Sequence, residues 1–123
     1  MTDIQAFADR YVAVWNEDDA SARQAAVDEL WAPDAAEFTE TREHRGRAAL
    51  QERVRSSYDD LVAGKGFRFH RDGPAYGHHD VVTFRTVMRP AGDSDVVAWT
   101  GLMVVRLGAD GRIREDHQFA LDG

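Results

Sequence analysis

The sequence predicts an α+β fold, in which an antiparallel sheet curls around helices contributed by the first half of the chain. Three observations carry that prediction. Apolar residues recur at three- and four-residue spacing as far as Leu61. From Phe67 onward they alternate with a period of two. Turn-forming runs, Ala91-Gly92-Asp93 and Ala109-Asp110-Gly111, separate the later strands closely enough to make them antiparallel neighbours. The twist of such a meander bends it over whatever it packs against.

Thr2 and Gln5 have the spacing of a capping box, and Ile4, Phe7, Tyr11 and Val14/Trp15 form the helical stripe that follows. After a polar break at residues 16–19, Asp18 or Asp19 caps a second helix with Ala22, Ala26, Val27 and Leu30/Trp31 inward. Pro33 stops that helix, because its ring restricts the preceding residue. A short strand is expected over 36–41 with Phe38 inward, then a polar loop over 44–46. A third helix runs from Arg47 with Leu50, Val54, Tyr58 and Leu61 on one face, until Gly64 and Gly66 stop it. Phe67 and Phe69 share one face of the next strand, and Asp72-Gly73-Pro74 breaks it. The strand over 81–89 turns Val82, Phe84, Thr86 and Met88 inward. The stretch from Val96 to Leu107 is apolar on both faces, so both are expected to be covered, the outer one by a second copy of the chain.

The last strand sets up a conflict. Plain alternation from Ile113 puts Glu115, His117, Phe119 and Leu121 on the core side, and Arg114, Asp116 and Gln118 on the other. Ionisable groups on a buried face are costly unless paired, hydrogen-bonded or turned to a wet cavity. Glu115 and His117, about 6.5 Å apart along the strand, are therefore the candidate proton-transfer pair.

Composition narrows the classes. A chain of 123 residues suits one domain, spanning 1–123, with one core. The formal net charge of -7 argues against nucleic acid and anionic membrane as partners. With no cysteine there is no disulfide and no thiolate metal site. No signal-peptide pattern or bilayer-length apolar run occurs, so a cytoplasmic location is expected. His70, His78 and His79 lack metal-ligand spacing, and Gly64-Lys65-Gly66 is too short for a phosphate loop, so neither metal nor cofactor is expected.

Three segments, Tyr11 to Asn16, Gly46 to Leu50 and Asp110 to Phe119, resemble the NTF2-like superfamily and, within it, the SnoaL-like group. The resemblance extends over nearly the whole chain. It implies a cystatin-like cone, a sheet rolled around helices and usually paired into a homodimer through the sheet face. It also implies a pocket for a small hydrophobic molecule, lined by Trp15, Phe38, Phe84, Thr86, Trp99, Met103 and Phe119 together with Tyr58, Glu115 and His117. His117 and Glu115 are expected as catalytic residues there, with Tyr58 orienting the substrate and Tyr11 a further possible donor. No catalytic set of the ketosteroid isomerases, limonene epoxide hydrolase or scytalone dehydratase carries over intact. Two readings follow: an isomerase, cyclase or dehydratase working by acid–base proton transfer, or a non-catalytic dimeric binding or assembly module.

Overall fold

The computed structural model describes residues 3–92 and 95–121. Thr2 and Asp93, read above as a capping and a turn residue, lie outside them. Helix α1, Ile4–Asn16, opens on Asp3, whose carboxylate accepts the Ala6 N–H at 3.1 Å. Gln5 serves instead to tie α1 to the sheet, donating to the Ala75 carbonyl at 2.8 Å. Helix α2, Ala20–Leu30, is capped by Asp19, which accepts from Ala22 N–H at 3.0 Å. Trp31 already belongs to strand β1, Trp31–Phe38, since the residues ahead of Pro33 favour extended backbone.

Strand β2, Glu43–Arg45, folds back on β1 where only a loop was expected. Helix α3, Arg47–Ser57, buries Leu50, Val54 and Ser57, and continues into a π-helical segment, Tyr58–Gly64. The remaining strands are β3 Phe67–Arg71, β4 Tyr76–His78, β5 Val81–Pro90, β6 Trp99–Leu107 and β7 Ile113–Leu121. Val96 and Val97 precede β6 and are exposed, not part of the strand. The curved sheet runs β2-β1-β7-β6-β5-β3, with β4 also on β5. All its pairs are antiparallel but one: β1 lies parallel to β7, joining the two ends of the sequence. Gly111, with φ of +81°, makes the turn into β7.

The α+β class and the inward set on β5 are as the sequence predicts: Val82, Phe84, Thr86 and Met88 are all buried. The facing of β7 is not. Leu107 pairs with Ile113, but Arg106 pairs with Glu115, so one step on β6 spans two on β7. Arg114 is the extra residue of a β-bulge, and a bulge reverses the facing of all that follows. Asp116 and Gln118 are therefore buried with Ile113, while Glu115 and His117 lie on the outer face and Phe119 is exposed.

The core is one cluster between helices and sheet. Its centre is aromatic. Tyr11 meets Phe84 edge-on at 5.1 Å between ring centroids and Trp31 at 5.5 Å, and Trp15 meets Trp31 at 6.2 Å.

Candidate functional site

The concave face of the sheet and the helices enclose a cavity of about 400 Å³. Tyr11 and Trp15 of α1, Arg53 and Ser57 of α3, and Leu61 of the π-helical segment form one wall. Thr86 and Met88 of β5, Trp99 and Met103 of β6, and Gln118 of β7 form the other. The β1–β2 turn makes the rim, with Glu40, Arg42 and His44. Glu40 is held there, since its carboxylate accepts the Ala120 N–H at 2.9 Å. The lining surface is largely apolar, with several polar side chains set into it, as suits a small-molecule site.

Behind that wall lies a buried polar network. Register places Glu37 of β1 beside Asp116 of β7, on the same face, and both are fully buried. Arg53 Nε donates to Glu37 Oε1 at 2.8 Å, and Gln118 Nε2 donates to Glu37 Oε2 at 3.2 Å. The same Gln118 amide donates to the Tyr11 hydroxyl oxygen at 2.7 Å. Tyr11 O–H in turn donates to Asp116 Oδ2 at 2.8 Å. Asp116 Oδ1 has no hydrogen-bond partner among the described residues; the Trp31 indole beside it favours the charged form without reaching hydrogen-bond geometry.

Burial, and then the negative charge of Glu37, push the Asp116 carboxyl well above the ordinary carboxylate range. Burial, with the nearby carboxylates, raises the Tyr11 phenol as well, so it stays protonated. The sign for stability follows. A folded-state pKa above the unfolded one means the folded chain holds a proton that the unfolded chain has released. Stability therefore falls as pH rises from about 4 toward the folded pKa of Asp116. Asp116→Asn removes that titration, and it is expected to lose less stability than the parent between about pH 5 and pH 8, measured by urea midpoints. Glu115, held down by Arg106, and Asp18, held down by Tyr58 and Arg68, shift the opposite way. Their contributions fade only below about pH 4, outside that window.

The sequence-predicted residues divide. Trp15, Thr86, Trp99 and Met103 line the cavity. Phe84 is buried beneath Tyr11 rather than at the cavity surface. Glu115 and His117 do not reach it: Glu115 pairs with Arg106 at 3.0 Å, and His117 stacks on Phe38 at 4.8 Å between centroids. The bulge at Arg114 accounts for them and for Phe119. Phe38 is outward because it pairs with His117 in the β1–β7 register. Tyr58 is displaced because Ser57 takes the inward helical position after Leu50 and Val54. Its hydroxyl donates to Asp18 Oδ1 at 2.7 Å, and the Arg23 guanidinium covers its ring at 4.2 Å. Arg53 and Glu37 escaped the sequence reading. Arg53 carried a signal, three residues from Leu50 and four from Ser57 on the inward stripe. Glu37 offered only an acid within an apolar run.

Three helices and a curved mixed sheet around such a cavity make up an NTF2-like, cystatin-like fold. The family model for the SnoaL-like domain matches residues 8–116, and the chain belongs to that family. Among solved structures, a "putative isomerase of the SnoaL-like family" from Agrobacterium tumefaciens is 27% identical with a TM-score of 0.87, covering 100% of both chains. A "putative polyketide cyclase" from Sinorhizobium meliloti is 17% identical with a TM-score of 0.69, covering 92% of this chain and 93% of its own. An NTF2-like protein with a cystatin-like fold from Novosphingobium aromaticivorans is 24% identical with a TM-score of 0.69, covering 98% and 80%. No curated protein matches the chain.

Proposed function

We propose that the protein binds a small, largely apolar molecule in the cavity and holds one of its oxygens on the Tyr11 hydroxyl. The bonding around that phenol carries the reading. A phenol oxygen accepts two hydrogen bonds and donates one. Tyr11 donates to Asp116 along the 2.8 Å contact; once Asp116 holds a proton that donation reverses, while Gln118 fills the second acceptor position at 2.7 Å. The Tyr11 proton is then free to turn to an oxygen in the cavity. An oxygen gaining negative charge during reaction is stabilised by such a donor, fixed beforehand in a dry site. That is what an acid–base isomerase, cyclase or dehydratase needs, and the likeness to the Agrobacterium protein, named a "putative isomerase", supports the same class. In this proposal the Tyr11–Asp116 pair takes the proton-donating role.

The probe is 2-naphthol, titrated by its own fluorescence. Tyr11→Phe keeps the ring and removes the donor, and it is expected to weaken binding about tenfold, the worth of one hydrogen bond. Equal affinity in the two proteins would remove Tyr11 from the site.

The outer sheet face supports a homodimer as a further part of the proposal. Leu102 and Phe119 are cross-strand neighbours there, beside the pair Val104 and His117, and Phe119 is 46% exposed. The parent is expected to sediment as a dimer and Phe119→Glu as a monomer; a monomeric parent would end this idea without touching the cavity. A cytoplasmic location belongs to the proposal too; among the described residues no helix is long and apolar enough to cross a membrane.

A further inference from the structure

Arg53 is a charged group of the cavity wall with unused hydrogen-bonding capacity. It lies in the wall with its side chain 28% exposed. Only Nε is engaged, on Glu37 Oε1 at 2.8 Å; among the described residues its two terminal nitrogens have no hydrogen-bond partner. The guanidinium carbon lies over the Trp15 ring, 5.4 Å from its centroid. Glu37 cannot reach a ligand: it is fully buried, and its oxygens already accept from Arg53 and Gln118. It acts as an anchor that orients the guanidinium and leaves the far edge open.

We propose that the ligand of this cavity carries a carboxylate, which the two terminal nitrogens of Arg53 bind side by side. This rests on the reading that the cavity takes a small apolar molecule. A planar fork with two parallel N–H donors matches a carboxylate better than a single oxygen. The rest of the wall sets the remainder of the ligand, with Leu61, Met88 and Trp99 offering apolar contact. Behind the same wall, the Thr86 hydroxyl and Trp15 indole N–H are buried without hydrogen-bond partners among the described residues. Arg53 already shares its charge with Glu37, and the other arginine of the lining, Arg42, stands at the rim, which argues against a phosphate dianion. The formal net charge of -7 opposes an anion from afar, but that field is screened within about 8 Å at physiological salt. A contact ion pair inside a low-dielectric cavity is not. The acid in the cavity lining, Glu40 at the rim, accepts the Ala120 N–H.

The test is calorimetric titration of the full chain with 2-naphthoate and with its methyl ester, which has the same rings and no charge. 2-Naphthoate is expected to bind at least tenfold tighter than the ester. Glu37→Gln keeps an acceptor for Arg53 and removes the competing charge, so it widens that preference several-fold. Arg53→Gln abolishes it. If Arg53→Gln does not fold, Glu37→Gln still decides the question, because a preference it leaves unchanged or narrows overturns the proposal. Equal binding of acid and ester overturns the carboxylate and leaves the cavity reading standing. Failure of both probes to bind overturns both.

Discussion

Arg53→Ala is expected to lower the stability of the fold by about 3–5 kcal/mol, the cost of leaving one member of a buried ion pair without its partner. Glu37 is fully buried. Without Arg53 its carboxylate keeps only the Gln118 amide, at 3.2 Å. The neutralising charge is gone, and a buried carboxylate escapes the cost mainly by taking up a proton. The loss is therefore largest at neutral and alkaline pH and shrinks in acid. Adding Glu37→Gln to Arg53→Ala removes the stranded charge and is expected to restore much of the stability. The two substitutions should couple by up to about 3 kcal/mol in a double-mutant cycle. Urea denaturation of the four proteins measures it. If the single variant loses less than about 1 kcal/mol, as for an exposed pair, and the second change restores nothing, the Arg53–Glu37 contact is not holding the network together.

The network that this substitution would break is the part of the molecule that sequence patterning placed least well. Local periodicity largely survived folding: helices α1, α2 and α3 and the inward face of β5 lie where spacing put them, except that Ala22 of α2 is exposed and Arg23 beside it is buried. Four cavity residues, Trp15, Thr86, Trp99 and Met103, were legible because each sits on a helix or a regular strand whose facing follows from its neighbours. What alternation alone does not give is the bulge. Arg112-Ile113-Arg114-Glu115 contains no glycine or proline to mark an extra residue, and one extra residue exchanges the two faces. The conflict of acids on a buried strand was real, but it belongs to Asp116 rather than Glu115. Its partner, Glu37, arrives from the parallel β1–β7 pairing, which brings residues from opposite ends of the chain together and which no local rule in the sequence dictates. The sequence-level argument that burying ionisable groups demands partners holds for these residues. Asp116, Glu37, Gln118, Tyr11 and Arg53 form the connected set that satisfies it, apart from Asp116 Oδ1.

Tyr11→Ala is expected to be as damaging as Arg53→Ala, for a different reason. The Tyr11 ring is 1% exposed and touches Trp15, Trp31 and Phe84, so truncation opens a hole at the aromatic centre of the core. Large aromatic-to-alanine changes in cores cost about 3–5 kcal/mol, through lost transfer energy and the cavity left behind. The hydroxyl adds to that, because Asp116 Oδ2 loses its hydrogen-bond partner inside the protein. Tyr11→Phe separates the two contributions. It keeps the ring contacts, so it is expected to cost about 1–3 kcal/mol, the penalty of an unsatisfied buried polar group. Thermal or urea unfolding of the pair therefore reads packing from Ala minus Phe and hydrogen bonding from Phe minus parent. If both variants lost the same amount, the ring would contribute nothing beyond its hydroxyl, and the aromatic centre described above would not be what supports the site. If Phe cost nothing, Asp116 would be stabilised without Tyr11, and the phenol would no longer be the group through which its proton reaches the cavity.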